Sequence, residues 1–174
     1  MISNELDDRA FAFQFNQAMI KHGLTLACAE SMTAGLLAST LAAAPGTMAV
    51  LHGSIVVYTP AFKEDLLGVP RHVVETFSAE SRETTYAMLG GLQALFPKAS
   101  IHVAVTGVAT APPGAPAPSK VPGQLYVAIG SEGRQYAFET ILRPPAPDEW
   151  GNEIRRAAVR YILERVWERI DSQF

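Results

Sequence analysis

Two short stretches constrain this chain most. Thr25–Ala29 and Ile101–Thr106 are almost unbroken in apolar character. A strand of that kind belongs inside a sheet that is covered on both faces. Ser54–Tyr58, rich in β-branched residues, reads as a third strand. Helical stretches lie between them. Ala10–His22 places Phe11, Phe15, Ala18, Met19 and His22 on one face, and Gly23 is its stop. Met32–Ala43 reads as a buried helix ended by Pro45-Gly46. Pro60–Leu67 is a short helix with Pro60 in its first turn. Ser78 is a cap candidate for the next helix, with Glu80 in its first turn and a stripe of Met88, Leu92, Leu95 and Phe96. Pro97 closes it. Early alternation of this kind implies helices on a largely parallel sheet. Gln124–Gly130 and Gln135–Leu142 read as a hairpin, which adds an antiparallel portion. A last helix runs from about Glu149 to Ile170, with Ile154, Ala158, Ile162 and Val166 in line. The expectation is an α/β fold on a mixed, largely parallel sheet. No repeat or boundary divides the chain, so residues 1–174 read as one domain.

Composition narrows the function classes. Hydrophobic residues make up 48% and charged residues 18% of the chain, enough for one sizeable core. The net charge is −3 and no Lys/Arg run is present, which disfavours nucleic-acid binding. Cys28 stands alone, so an internal disulfide is not expected. The N-terminus is acidic, unlike a secretory signal. The longest apolar run, Ala34–Pro45, falls short of the about 20 residues a membrane span needs. A cytoplasmic location is the expectation. His22, His52, His72 and His102 are scattered, and no metal-ligand or nucleotide-loop motif is present, so neither metal nor cofactor is expected.

The residues that can carry chemistry begin with Ser31. A buried strand delivers it to a predicted helix start, where free backbone N–H groups can stabilise an oxyanion. A serine in that position is also a common N-cap. Lys63 and Tyr58 follow the second predicted strand. In a parallel sheet the C-terminal ends of neighbouring strands open onto one crevice, so Ser31, Tyr58 and Lys63 are expected to face the same space. A partly buried lysine can serve as the base a serine nucleophile needs, although a lysine on a short helix is often only a solvated charge. Thr106-Gly107 ends the third strand and can form the crevice floor. Glu30 either orients the site or faces solvent. Cys28 reads as core. Ala109–Gly123, with five prolines and two glycines, reads as a loop at the site, and Arg143–Asp148 as a second loop.

Several blocks resemble the CinA C-terminal domain family. Ala29-Glu30-Ser31-Met32-Thr33-Ala34-Gly35 is similar to its Ala-Glu-Ser-Cys-Thr-Gly-Gly signature. Tyr58-Thr59-Pro60-Ala61-Phe62-Lys63, followed by Leu66-Leu67-Gly68-Val69, resembles its Tyr-Ser-Asn-x-x-Lys and Leu-Leu-Gly-Val block. Phe77-Ser78-Ala79-Glu80, Val105-Thr106-Gly107-Val108-Ala109 and Lys120-Val121-Pro122-Gly123 follow in the family's order. The resemblance implies a three-layer arrangement of helices around the sheet. It also implies nicotinamide-nucleotide amidase activity, which converts nicotinamide mononucleotide (NMN) and water to nicotinate mononucleotide and ammonia. In that reading Ser31 is the nucleophile, and Lys63 and Tyr58 activate it or relay protons. Glu30, Thr33, Gly35, Ser78, Thr106, Gly107 and Arg155 would line the substrate. The implied partners are a pyridine nucleotide and further copies of the chain. The pyrophosphatase-type domain of some family members is not expected here.

The departures define the alternative. Met32 and Ala34 replace the family's cysteine and first glycine. Thr110-Ala111-Pro112-Pro113-Gly114 replaces a glycine-rich stretch, and proline has no N–H to offer a phosphate. No Gly-Asp-Arg precedes the last helix, although Arg155 and Arg156 match the family's paired arginines. A divergent member is the second reading: one that binds a ligand or partner without hydrolysing NMN, or that hydrolyses another amide.

Overall fold

The computed structural model describes residues 2–110, 121–144 and 151–171. In chain order the elements are α1 (Ile2–Lys21), β1 (Leu26–Glu30), α2 (Leu36–Ala42), α3 (Thr47–Val50) and β2 (Leu51–Val56). They continue with α4 (Pro60–Leu67), α5 (Arg71–Phe77), α6 (Arg82–Leu95), β3 (Ile101–Gly107), β4 (Gln124–Ser131), β5 (Arg134–Ile141) and α7 (Asn152–Asp171). One sheet runs in the order β2-β1-β3-β4-β5. β1 pairs parallel with β2 and β3, whereas β3–β4 and β4–β5 are antiparallel, so β4 is the reversed strand.

Side-chain size divides the two faces of the sheet. Leu26 and Cys28 of β1, Ile101, Val103 and Val105 of β3, and Leu125, Val127 and Ile129 of β4 point to one side. There they meet Phe15 and Met19 of α1 and Ile154, Ala158, Ile162 and Val166 of α7. The alternate positions carry alanines, namely Ala27, Ala29, Ala104 and Ala128, and these pack under Met88, Leu89 and Leu92 of α6. Successive strand residues face opposite ways, so both faces are buried and the strands read as continuous apolar runs. The alanine face lets α6 settle close to the sheet. Burying a residue such as Leu89 contributes roughly 1.5–3 kcal/mol.

β3 and β4 are joined through a narrow neck. Val108 N–H donates to Gln124 O at 2.9 Å and Gly123 N–H to Val108 O at 2.7 Å. At the next step Leu142 N–H donates to Gly123 O at 2.8 Å. The predicted loop Ala109–Gly123 and the second loop Arg143–Asp148 lie largely outside the described residues.

The structure moves several predicted boundaries. α1 reaches back to Ile2 instead of starting at Ala10. The second strand is Leu51–Val56 instead of Ser54–Tyr58, because the short α3 turns the chain before it. α5 has no predicted counterpart. The N-cap of α6 is Ser81, whose hydroxyl accepts from Thr84 N–H at 3.1 Å, and not Ser78. α2 begins at Leu36, four residues after the predicted start, because residues 31–35 form a turn.

Candidate active site

The turn after β1 sets the site. Ser31 N–H extends the sheet by one bond, to Val105 O at 3.1 Å, and Ala34 N–H then closes on Ser31 O at 3.0 Å. Ala34 (φ 51°) and Gly35 (φ 93°) follow, two left-handed residues that swing the chain into α2. Glycine adopts this conformation freely, while for alanine it costs roughly 1–2 kcal/mol.

α2 has no side-chain cap from its own N-cap residue, Gly35. Glu30 supplies one from the strand. One carboxylate oxygen accepts from Gly35 N–H at 2.9 Å and Leu37 N–H at 3.0 Å. The other accepts from Ala38 N–H at 3.0 Å and Ser54 Oγ at 2.8 Å. Leu36 N–H is bonded to Thr33 O. Glu30 is fully buried, so it does not face solvent, and the amides at the start of α2 are already taken. The expectation of free donors at that helix start is corrected accordingly. Among the described residues, the backbone N–H groups of Met32 and Thr33 are the ones in the turn that meet no acceptor.

Lys63 enters from α4. Thr59 caps that helix, accepting from Phe62 N–H at 3.3 Å, with Pro60 in the first turn. The lysine side chain runs inward and has no exposed surface. Its Nζ lies 3.0 Å from Ser31 Oγ, 3.0 Å from Val57 O and 3.4 Å from Tyr58 O. Burial pushes the amine below its ordinary pKa of 10.5, and the charge of Glu80 partly opposes that shift. A neutral amine has two N–H bonds and one lone pair. The two carbonyls can take the N–H bonds, which leaves the lone pair for the Ser31 hydroxyl. This is the arrangement a general base requires.

The other predicted site residues fall at different distances from this pair. Tyr58 reaches Lys63 through its carbonyl, and as a residue it is 55% exposed. Thr106 is buried, with its hydroxyl 2.8 Å from that of Thr85, which in turn donates to Ser81 O at 2.6 Å. Gly107 serves close packing, since a Cβ there would overlap Gln124 O and Met32 Sδ. Met32 itself is a core side chain in the cluster that holds α1 and α7 against the sheet. Thr33 is buried with its hydroxyl unpartnered among the described residues. Arg155 donates through Nε to Met32 O at 3.1 Å and so fastens the turn to α7. Ser78 is half-buried with φ 77°, and its carbonyl accepts from Ser81 Oγ and Thr84 Oγ1. Burial, with the charge of Glu30 adding to it, pushes the Cys28 thiol well up and leaves it an inert core group.

Sequence reasoning missed Val57, Glu80, Thr85 and Gly91. Gly91 is the least obvious of them. A Cβ on it would overlap the backbone carbonyl of Leu67, so it permits the close α4–α6 contact that carries Lys63 inward. Among the described residues no cluster of His, Cys, Asp and Glu gathers to hold a metal, and no helix is long and apolar enough to cross a membrane.

Comparisons with known proteins bear on the family and the fold. A CinA-like protein of Gemmatimonas aurantiaca is 32% identical over 167 residues, which is 95% of this chain and 36% of that protein. The chain spans about a third of the length of the curated relatives it matches. The crystal structure of competence/damage inducible protein CihA from Agrobacterium tumefaciens has a TM-score of 0.80 at 32% identity, covering 93% of this chain and 94% of that one. The competence damage-inducible protein A of Klebsiella pneumoniae gives 0.83 at 27% identity, covering 94% and 97%. Residues 8–170 match the CinA C-terminal domain, and the chain belongs to that family.

Proposed function

We propose that this protein is a serine amidohydrolase that deamidates NMN to nicotinate mononucleotide and ammonia. The observation that carries the reading is the buried contact of 3.0 Å between Lys63 Nζ and Ser31 Oγ. Ser31 Oγ attacks the carboxamide carbon while its proton passes to Lys63 Nζ. The Met32 and Thr33 amides, which meet no acceptor among the described residues, are the candidate donors to the oxyanion. Collapse of the tetrahedral adduct breaks the C–N bond, and the lysine proton leaves with ammonia. Water, deprotonated by Lys63, then attacks the ester, and Ser31 departs with a proton. The chemistry uses only these side chains and water, and the expected location is the cytoplasm. The choice of NMN rests on the motif resemblance alone.

The divergent-member reading is favoured by Ala34, which holds a left-handed conformation where the family pattern has glycine. One experiment separates the two. The purified protein is incubated with NMN, and ammonia and nicotinate mononucleotide are measured beside Ser31→Ala. Turnover that disappears in a folded Ser31→Ala supports the amidase. A folded wild type without turnover removes NMN and directs the search to other amides or to binding.

A further inference from the structure

We infer that Glu30 is the positioning residue of the dyad, holding Ser31 and Lys63 in register from the end of the buried strand β1. The inference rests on the Ser31–Lys63 reading above. Its side chain and its backbone act on different halves of the pair. The carboxylate gathers Gly35, Leu37 and Ala38 N–H, all beyond Ser31, and so fixes the turn that presents the serine hydroxyl. It also takes the Ser54 hydroxyl, tying that turn to the neighbouring strand β2. The backbone carbonyl of Glu30 accepts from Val57 N–H at 2.8 Å. The carbonyl of Val57 then accepts from Lys63 Nζ at 3.0 Å. One residue thus anchors the nucleophile through its side chain and the base through its main chain.

The four partners of the carboxylate are all donors. Only a group with two acceptor oxygens satisfies them. Glutamine has the same shape, but its NH2 would face backbone N–H groups or the Ser54 hydroxyl, and one side of the cradle would be left unpaired. The turn would then shift. A displacement near 1 Å at a reacting group costs about 100-fold in rate.

The test follows the rate at which a small fluorophosphonate labels Ser31, read by mass spectrometry. That probe needs only an activated serine and no substrate pocket. The expected result is efficient labelling of the wild type and labelling slowed by about 100-fold in Glu30→Gln, with circular dichroism unchanged. With NMN, kcat falls and KM holds, whereas a residue that touched substrate would raise KM. In Glu30→Ala, added acetate refills the cradle and restores part of the labelling rate, while chloride does not. Ser54→Ala, which keeps three of the four bonds, slows labelling a few-fold and covers the case in which both Glu30 variants fail to fold. Wild-type labelling rates in folded Glu30→Gln, or in Ser54→Ala if the Glu30 variants do not fold, would overturn the positioning role alone. A wild type that never labels at Ser31 would overturn the nucleophile reading and this one with it.

Discussion

An amine sealed from solvent is uncomfortable as a cation, and Lys63 carries that cost on behalf of the reaction. Its pKa is lowered in the folded chain, so at pH values between the folded and unfolded values the unfolded chain binds the extra proton. The stability contribution therefore improves as pH rises through the folded pKa towards 10.5 and is poorest below it, where the buried amine must be charged. Lys63→Met removes this titration, so the melting temperature of the variant relative to the wild type should shift in the variant's favour as pH falls. That shift is set against a pH-independent loss of about 1–3 kcal/mol from the Val57 and Tyr58 carbonyls left unpaired. The same variant should lower NMN turnover by about 100-fold to 10,000-fold. A difference in melting temperature between Lys63→Met and the wild type that stays the same across pH would contradict the account. Tyr58→Phe keeps the carbonyl that touches Lys63, so its loss in kcat should be far smaller than that of Lys63→Met. Ala34→Gly relieves a left-handed alanine, and urea denaturation should show a gain of about 0.5–1 kcal/mol after glycine's own entropy cost is deducted. Little of this detail could be read from the residues alone. The sequence places Ser31 and Lys63 at neighbouring strand ends, but a lysine on a short helix looks the same whether it is solvated or sealed.

The seal is a property of two helices. α4 lies against α6 because Gly91 presents no Cβ to the Leu67 carbonyl, while its neighbour Gly90 is exposed, with open space where a side chain would stand. The two glycines make a matched test. Gly90→Ala should stabilise by about 0.5–1 kcal/mol, as alanine does in an open helical position. Gly91→Ala should destabilise by about 1–3 kcal/mol and also reduce turnover, because α4 moves out and draws Lys63 from Ser31. Thermal melts and kcat for the pair would check both signs. The elements themselves were unevenly legible. β1 and β3 announce themselves because both faces are buried. α5 buries none of its residues fully, so it writes no apolar stripe, and only the structure reveals it. The late start of α2 was hidden because Met32 and Ala34 suit a helix, whereas the left-handed turn is held by Glu30 and by bonds to distant strands.

Across the whole molecule, the alternation of strands and helices implies helices on a largely parallel sheet, the late hairpin makes that sheet mixed, and the three-layer plan is what the family resemblance implies. The unequal faces of the sheet were not apparent beforehand, because alanine is as compatible with a strand as with a helix until its neighbours are known. They carry a prediction. Ala104→Val, buried under α6, should cost about 1–3 kcal/mol through overpacking, measured by denaturant unfolding. The neck between β3 and β4 has a consequence of another kind. Val108, Gly123 and Gln124 close the connection with their own hydrogen bonds beside the end of β3, so the segment between them is a nearly interchangeable part. Loop length adds only slowly to closure entropy. Lineages can therefore lengthen, shorten or rewrite that segment without disturbing the strands it joins, making the neck a point at which this fold is open to evolutionary experiment.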